Sequence, residues 1–262
     1  EKTPIVVTGV AGFIGSHTAE RLLERGETVI GIDEVNDYYD VKVKEQNVAL
    51  LRKKGSSKFA FYRGDICDKA LLETIWATHN KPRRVVHMAA RAGVRPSIDY
   101  PLVYVHSNVE GTTRLLEIAA KYGSDSFVFA SSSSVYGSVG GKTVNEKYFG
   151  FEPYNQYDIS KHTADLYAQK SDVEYYALRF GTVNGYSPFL RSDVMINAMV
   201  NSAINNGHIK LYIKDTMRPI LGINDLCEAV RHILASSEDK RGLYNLASFN
   251  KTAEQIAYEV AN

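Results

Sequence analysis

Tyr157 and Lys161 are the two side chains in this sequence whose types and spacing best suit acid–base chemistry. They stand four residues apart in Tyr-Asp-Ile-Ser-Lys, a spacing that places both on one face of a helix. A phenol with an ordinary pKa of about 10 is a poor base at neutral pH. A neighbouring ammonium favours the phenolate, so the pair predicts a general base, Tyr157, assisted by Lys161.

The same spacing occurs once more, at Tyr38 and Lys42, in a chain with 17 tyrosines. That segment directly follows the second predicted strand, and we interpret it as an ordinary helix start. Tyr157 instead comes about two dozen residues after the serines that end the fifth predicted strand. A helix at that point can return to the end of the sheet where a reaction would occur.

Four consecutive serines, Ser131 to Ser134, end the fifth predicted strand. A hydroxyl there can hydrogen-bond a substrate alcohol or carbonyl and pass a proton to Tyr157. The alternative is a polar strand end with turn-forming serines. The catalytic interpretation depends on the serines occurring together with the Tyr157 pair and with a glycine-rich turn near the start of the chain.

That turn contains Gly9, Gly12 and Gly15, between an apolar run and an amphipathic helix, and a second apolar run ends on Asp33. This order predicts a β-α-β dinucleotide site. Gly9 allows the tight turn, Gly12 lets the backbone approach a pyrophosphate, and Gly15 lets the helix lie close to the strand. Asp33 would accept hydrogen bonds from the ribose hydroxyls and repel a 2′-phosphate, which favours NAD over NADP.

Strand-like and helix-like segments alternate over the first 180 residues. We expect strands near 4–8, 28–33, 59–64, 84–89, 126–132 and 175–180. We expect helices near 13–25, 41–54, 68–79, 106–121, 157–170, 193–206, 224–236 and 251–261. The alternation predicts an α/β fold, a Rossmann-type doubly wound parallel sheet with a smaller C-terminal substrate-binding lobe. We assign residues 1–173 to an NAD-binding domain, 174–181 to a further sheet strand, and 182–262 mainly to the substrate lobe. Parts of that lobe can interleave with the sheet.

Composition gives few further constraints. The chain has 262 residues with 31 basic and 30 acidic side chains, and no basic stripe that would predict binding to nucleic acid or to a membrane surface. Its two cysteines, Cys67 and Cys227, are far apart and lack a metal-type partner pattern. We therefore expect no metal, no disulfide and a cytoplasmic setting. The chain starts almost directly on its first strand, which leaves open the question of whether an N-terminal anchor was trimmed.

Taken together, the motifs resemble the extended short-chain dehydrogenase/reductase family, in its nucleotide-sugar epimerase and dehydratase branch. The resemblance runs from about residue 4 to the end, although family members usually continue beyond the last helix. It implies catalytic roles for Ser132, Tyr157 and Lys161. The residues that it implies for binding NAD are Gly9, Gly12, Phe13, Ile14, Gly15, Asp33, Asp65, Ile66, Ala89, Ala90, Tyr157 and Lys161.

The two residues after Ser132 separate the reactions of this branch. The 4,6-dehydratases carry an Asp-Glu pair there and the UDP-glucuronate decarboxylases usually a Glu, whereas this chain has Ser133 and Ser134. Elimination needs an acid and a base at that place, so their absence disfavours dehydration and weakens decarboxylation. The segments 36–40 and 87–95 are most similar to UDP-glucuronate 4-epimerases, and Thr182 suits that type.

The resemblance thus implies a UDP-sugar 4-epimerase. In this reaction Tyr157 removes the 4-hydroxyl proton while C4 gives its hydride to NAD, and the resulting 4-keto sugar takes the hydride back on its other face. Residues expected to bind the UDP-sugar are Arg95, Ser132, Ser133, Thr182, Arg191 and Arg218. The alternatives are a decarboxylase, dehydratase or reductase of the same family, or a non-catalytic NAD-binding sensor. A homodimer through helices 106–121 and 157–170 is implied by resemblance only, since their apolar faces could equally be core.

Overall fold

A seven-stranded sheet forms the centre of the protein, in the order β3-β2-β1-β4-β5-β6-β9, and every neighbouring pair of strands is parallel. The computed structural model of the chain describes residues 3–137, 139–148, 150–187, 194–236 and 240–262. The strands of the molecule are β1 (Ile5–Thr8), β2 (Val29–Asp33), β3 (Phe59–Arg63), β4 (Arg84–His87), β5 (Ser126–Ser132), β6 (Tyr175–Phe180), β7 (Thr182–Asn184), β8 (Met217–Gly222), β9 (Gly242–Leu246) and β10 (Phe249–Thr252).

Helices connect these strands and cover both faces of the sheet. The helices are α1 (Phe13–Glu24), α2 (Val41–Gly55), α3 (Lys69–Thr78), α4 (Val94–Asp99), α5 (Pro101–Tyr104), α6 (Gly111–Tyr122), α7 (Gln156–Gln169), α8 (Met195–Asn206), α9 (Ile223–Ala235) and α10 (Ala253–Ala261). A π-helical turn, Val105–Glu110, joins α5 to α6. The Rossmann-type, doubly wound α/β class predicted from the sequence is confirmed.

The core lies in two layers, one on each face of the sheet. Alternate residues of β1 point to opposite layers, because successive strand side chains face opposite ways. Ile5 and Val7 pack in the layer that contains residues of α1, α2 and α9. Val6 packs in the layer that contains residues of α3, α6 and α7. Because α7 is packed in the second layer, its N-terminal turn is held against the sheet.

The predicted strands and helices are present to within a few residues, although residue 193 lies outside the described residues and the first turn of predicted helix 106–121 is π-helical. The sequence did not predict α4 and α5, or several of the strands after β6. A second, three-stranded sheet has the order β10-β8-β7, and β9 returns to pair with β6 in the main sheet. These strands are three to six residues long and do not alternate between buried and exposed positions. They therefore lack the period-two signal from which strands are read. The division into two domains stays a prediction.

In the part of the chain that the structure describes, none of the helices combines the length and the apolar character needed to span a membrane.

Candidate active site and cofactor cleft

The three glycines of the first turn do three different things. Gly9 has φ +68°, and a Cβ there would lie 2.7 Å from the backbone nitrogen of Ala89. A Cβ on Gly15 would lie 2.0 Å from the carbonyl oxygen of Gly9, so α1 can approach the turn only with glycine at this position. A Cβ on Gly12 meets only the Gly9 oxygen, at 3.3 Å. Gly9 and Gly15 are thus required by packing, whereas Gly12 leaves space that the protein itself does not use.

The first turn of α1 follows directly on Gly12, which makes no side-chain cap. The initial N–H groups of a helix lack intrahelical partners, and with the helix dipole they attract anionic groups. Phe13 and Ile14 are the first residues of this turn and are partly buried. The positions predicted to receive a pyrophosphate therefore have the conformation that this role needs.

Asp33 ends β2 beside this turn, and its carboxylate is held from two sides. One oxygen accepts a hydrogen bond from the Ala11 N–H at 3.0 Å, and the other accepts one from the Val35 N–H at 2.8 Å. Burial raises the pKa of the Asp33 carboxyl, while these two hydrogen bonds act in the opposite direction. The carboxylate is fixed at the edge of the cleft, where its remaining lone pairs can accept hydrogen bonds from a ribose.

A cleft of about 690 Å³, part of it open to solvent, lies at the carboxyl ends of β1, β2, β3 and β4. It contains the point where strand order reverses between β1 and β4, which is where ligands bind in sheets of this type. Seven of the predicted cofactor residues line it: Gly9, Gly12, Asp33, Asp65, Ile66, Ala89 and Ala90. The open space at Gly12 and the orientation of Asp33 fit an NAD pyrophosphate and ribose.

Several residues of this cleft were missed by the sequence interpretation. The segment from Tyr38 to Lys42 does contain a helix start, since α2 begins at Val41 behind the N-cap Asp40. Tyr38 itself also lines the cleft and donates a hydrogen bond to the Ala92 carbonyl, which the sequence interpretation did not predict. Lys44 is buried against the same wall, where its Nζ donates 2.7 and 2.8 Å hydrogen bonds to Asn36.

Arg91 forms the other side of the cleft mouth. Its guanidinium lies 5.0 Å from the centre of the Tyr38 ring and 3.5 Å from the Glu34 carboxylate. Arg91 and Glu34 are 57 residues apart in sequence, and Lys44 lies on a helix with no motif of its own. Only the assembled sheet edge brings them together, so no local pattern could have predicted them.

Tyr157 lies in the first turn of α7, and the start of that helix is fixed by reciprocal hydrogen bonds. The N-cap residue Asn155 accepts a 3.0 Å hydrogen bond from the Asp158 N–H and donates one of 2.9 Å to the Asp158 carboxylate. The same carboxylate accepts from the Tyr154 N–H at 3.2 Å. These bonds satisfy free N–H groups at the helix start and so set the position of Tyr157.

The register between α7 and β5 brings the predicted catalytic residues together. Lys161 Nζ donates a 2.8 Å hydrogen bond to the carbonyl of Ala130, and Tyr157 lies against Ser132. One helical turn of four residues rises roughly 6 Å and two strand residues span roughly 6.6 Å. The distance along α7 from Tyr157 to Lys161 therefore matches the distance along β5 from Ser132 to Ala130, so both contacts can form at once.

The electrostatics of this pair follow from burial. Burial lowers the pKa of Lys161 to about 8, and the carboxylate of Asp165 opposes the fall. Burial also raises the pKa of the Tyr157 phenol, with the hydrogen bond of Ser132 acting against the rise. The Ser132 hydroxyl further contacts Ser134, with 2.9 Å between the two Oγ atoms. A phenol in contact with a serine hydroxyl and one helical turn from a lysine can exchange a proton with a bound alcohol.

Asn108, in the π-helical turn, ties the cleft to the α7 helix. It is 1% exposed, accepts a 2.7 Å hydrogen bond from the Arg91 N–H and donates one of 2.9 Å to Ser160 Oγ. Ser160 in turn donates to the Tyr157 carbonyl at 2.8 Å. The wall of the cofactor cleft and the helix that carries Tyr157 are thus held in one network.

The predicted substrate residues fall into three groups. Ser133 starts a 3-10 turn, Ser133–Tyr136, directly after Ser132. Thr182 and Arg218 are exposed on the paired strands β7 and β8, and Arg95 is exposed on α4. Arg191 lies outside the described residues. The substrate roles of these five residues, and that of Ser132, stay predictions.

Comparison with known proteins gives these motifs a family. Residues 5–247 match the family model described as the NAD dependent epimerase/dehydratase family. Protein CapI of Staphylococcus aureus is 31% identical over 98% of this chain and 77% of its own length. A UDP-glucuronate 4-epimerase of Thermodesulfobacterium geofontis is 37% identical over 79% of this chain. This chain covers 64% of the latter protein's length.

Solved structures show the same fold. The UDP-glucuronic acid 4-epimerase from Bacillus cereus, in complex with UDP-glucuronic acid and NAD, aligns with a TM-score of 0.81 at 27% identity, over 95% of this chain and 79% of that one. The UDP-glucose 4-epimerase of Thermus thermophilus in complex with NAD aligns with a TM-score of 0.77 at 28% identity, over 98% and 82%. With the family model matched almost end to end, the resemblance drawn from the motifs is confirmed, and the chain belongs to the NAD-dependent epimerase/dehydratase family.

Proposed function

We propose that this protein is an NAD-dependent UDP-sugar 4-epimerase that interconverts UDP-glucuronate and UDP-galacturonate. The observation that carries the proposal is the register of α7 on β5, which places Tyr157 against Ser132 and Lys161 on the Ala130 carbonyl. The similarity to a protein named UDP-glucuronate 4-epimerase and to the structure of a UDP-glucuronic acid 4-epimerase supports the choice of substrate.

The cofactor cleft supplies the binding half of this proposal. Gly9, Gly12, Gly15 and the first turn of α1, with Phe13 and Ile14, would hold the pyrophosphate of NAD. Asp33 would hold the ribose, and Asp65 with Ile66 would flank the adenine. Ala89 and Ala90 would line the path toward the nicotinamide, which leaves Tyr157 and Lys161 at the reactive end. When bound, NAD supplies the hydride acceptor and donor at C4 of the sugar.

The protein's own groups handle the proton. Tyr157 takes the proton of the sugar 4-hydroxyl as the alcohol becomes a ketone, and it returns the proton as the alcohol forms again with C4 inverted. Ser132 hydrogen-bonds the same sugar oxygen and bridges it to the phenol. The charge of Lys161 favours the phenolate, because a nearby cation stabilises an anion more strongly when both are removed from water.

Substrate recognition would come from both sheets. Ser133 and Thr182 offer hydroxyls to the uronate end of the sugar, and Arg218 offers a guanidinium that can pair bidentately with a diphosphate. Arg95 and Arg191 are the remaining candidates for the carboxylate or the phosphates. In this proposal residues 1–173 bind the cofactor and 182–262 mainly bind the nucleotide sugar, with β9 returning to the main sheet.

The serines at 133 and 134 also separate this reaction from the others of the family. Where an elimination would need an acid, Ser134 presents a neutral hydroxyl that contacts Ser132 Oγ at 2.9 Å. Unlike a carboxyl group, a neutral serine hydroxyl is both a poor acid and a poor base near neutral pH, so it does not supply the proton transfer at C5. The arrangement favours epimerisation over dehydration and decarboxylation. A sensor without catalysis would have no use for Tyr157, Lys161 and Ser132 in one register.

The direct test is to incubate the protein with UDP-glucuronate and follow the products by proton NMR. We expect UDP-galacturonate, with no net change in NADH absorbance. A UDP-pentose with released CO2 would make the protein a decarboxylase, net NADH turnover would make it a reductase, and recovery of the starting sugar alone would favour a sensor. UDP-glucose, which lacks the carboxylate, is the matched control substrate and should react more slowly.

A homodimer through α7 is the second part of the proposal. Ile159, Leu166 and Tyr167 of this helix are 47, 42 and 50% exposed, so their apolar surface is not part of the core. Leu115 and Leu116 of α6 are instead buried, so the proposed dimer contact is placed on α7. Light scattering tests the dimer: Leu166→Lys should lower the measured mass toward that of a monomer, whereas Leu50→Lys on α2 should not.

Both cysteines are free thiols, which favours a reducing compartment such as the cytoplasm.

A further inference from the structure

Asp65, Cys67 and His106 form a cluster of metal-ligand type at the edge of the cofactor cleft. One ligand atom from each side chain lies within 4.8 Å of the others, and Asp65 Oδ2 and His106 Nε2 are 2.7 Å apart. The Asp65 and His106 side chains are 38 and 47% exposed, and Cys67 is partly buried. An ion from solvent can therefore reach all three.

The fold brings together residues that the sequence keeps apart. Asp65 follows β3, and its Oδ1 accepts a 2.8 Å hydrogen bond from the Cys67 N–H, which holds the two side chains in one turn. His106 comes from the π-helical turn, 39 residues further along. The spacing of the cysteines in the sequence did not reveal this cluster, because its third residue, His106, comes from the distant π-helical turn. Single π turns occur often at functional sites.

The donor set identifies the class of ion. A cysteine that loses its proton on binding, an imidazole and a carboxylate suit Zn²⁺, which takes sulfur, nitrogen and oxygen ligands in tetrahedral sites, whereas Mg²⁺ and Ca²⁺ prefer oxygen alone. Glu110 accepts a hydrogen bond at 2.9 Å from the other ring nitrogen of His106, Nδ1. That contact is the carboxylate–histidine pairing that orients an imidazole toward a metal. Three protein ligands leave the fourth position for water.

We propose that Asp65, Cys67 and His106 form a Zn²⁺ site, and that its occupation competes with binding of the dinucleotide. The metal would be bound by Asp65 Oδ2, Cys67 Sγ and His106 Nε2, and any proton on the thiol or on Nε2 passes to solvent. Asp65 also lines the cleft that contains Asp33 and Gly12. A carboxylate oxygen bound to Zn²⁺ is no longer available at the adenine end. The competition rests on the proposed cofactor function, whereas the metal site does not.

Metal binding is tested without any sugar substrate. The protein is treated with chelator, stripped of nucleotide on charcoal, and titrated with Zn²⁺ against a chromophoric chelator. We expect one equivalent to bind. Cys67→Ser and His106→Gln should each lose affinity by about tenfold or more, because mutation of a group that only orients a metal ligand already costs about 10–100-fold. Cys227→Ser and His208→Gln are the matched controls and should bind as the original protein does. Circular dichroism checks that each variant is folded.

A second titration tests the overlap with the cleft. Saturation with NAD should lower the affinity for Zn²⁺, and Zn²⁺ should lower the affinity for NAD by the same factor, since coupling between two ligands is reciprocal. Millimolar Mg²⁺ should leave the Zn²⁺ titration unchanged. Stoichiometric binding that survives both Cys67→Ser and His106→Gln, or no stoichiometric binding at all, would overturn the site. Equal Zn²⁺ affinity with and without NAD would overturn the competition, and neither result depends on whether the protein epimerises a sugar.

Discussion

Asp165 and Arg179 form an ion pair inside the protein, with 3.0 Å between Arg179 Nε and Asp165 Oδ2 and side-chain exposures of 5 and 0% for the arginine and the aspartate. Asp165 lies on α7 one turn after Lys161, and Arg179 lies on β6. Arg179 also donates a 3.0 Å hydrogen bond to the Tyr136 hydroxyl, which donates one of 2.6 Å to Asn245 on β9. The helix α7, which carries Tyr157 and Lys161, is thus joined to β6 and β9 by charged and polar groups beneath the proposed site.

Removing one member of this pair should destabilise the protein strongly. Arg179→Met leaves the Asp165 carboxylate buried without its cation, and such uncompensated charges cost about 3–5 kcal/mol in the free energy of unfolding. Urea denaturation measures the change. Lys121→Met, which breaks a surface pair with Glu73, is the matched control and should leave the midpoint nearly unchanged. An Arg179→Met protein with the original midpoint would show that the pair does not hold α7 in place.

The pH dependence of turnover should reveal the lowered pKa of Lys161. The ammonium is present below its pKa of about 8 and is lost as pH rises above that value, so the rate should fall on the alkaline side. Asp165→Asn removes the carboxylate that opposes the fall in this pKa. In that variant the alkaline limb of the pH–rate profile should move to lower pH, and circular dichroism checks that the protein is folded. A limb that does not move would mean that another group causes the alkaline loss.

The same pKa predicts how stability varies with pH. The folded value of about 8 lies below the unfolded value of 10.5, so between these two values the unfolded chain binds more protons at this site. The contribution of Lys161 to the free energy of unfolding should therefore increase as pH rises between these two values. Lys161→Met removes this contribution, and urea titrations of both proteins at pH 8 and pH 10 would measure the difference.

Gly12 and Gly15 should respond differently to the same substitution. Gly15→Ala puts a Cβ 2.0 Å from the Gly9 oxygen, so it should lower the melting temperature and weaken NAD binding together. Gly12→Ala meets only the Gly9 oxygen at 3.3 Å. It should leave the melting temperature close to the original and weaken NAD binding by about tenfold or more, about 1.4 kcal/mol, because the methyl group occupies space left for the pyrophosphate. Calorimetric titration with NAD measures the affinities. Normal affinity in Gly12→Ala would place the pyrophosphate elsewhere.

These examples show which parts of the molecule could be predicted from the sequence. The turn from Gly9 to Gly15 and the pair Tyr157 and Lys161 are local patterns, because one short segment contains each whole motif. Parallel strands with amphipathic helices between them are equally local, and the main sheet was predicted on that basis up to β6. A resemblance of motifs then supplied the family, which a single motif could not.

What could not be predicted depends on contacts between distant segments. Arg91 reaches Glu34 only after β2 and β4 have taken their places beside β1. The contact between Lys161 and Ala130 depends on how α7 lies on β5, which no spacing within either segment determines. The strands β8 and β10 carry mixed polar and apolar residues and are stabilised by pairing with each other, so neither has a pattern that can be recognised alone.

Tyr157→Phe should abolish epimerisation while the protein still binds NAD. The change removes only the hydroxyl that exchanges the proton. The edge-to-face contact of ring 157 with Tyr104, at 6.3 Å between centroids, remains, so the fold should be retained. Proton transfer by a positioned group contributes about 10²–10⁴-fold to rate, and a loss in that range or beyond is expected in the NMR assay. Tyr122→Phe removes a hydroxyl that donates a hydrogen bond to Glu73 on α3 and should react at the original rate. Full turnover in Tyr157→Phe, with a folded protein, would remove this residue from the mechanism.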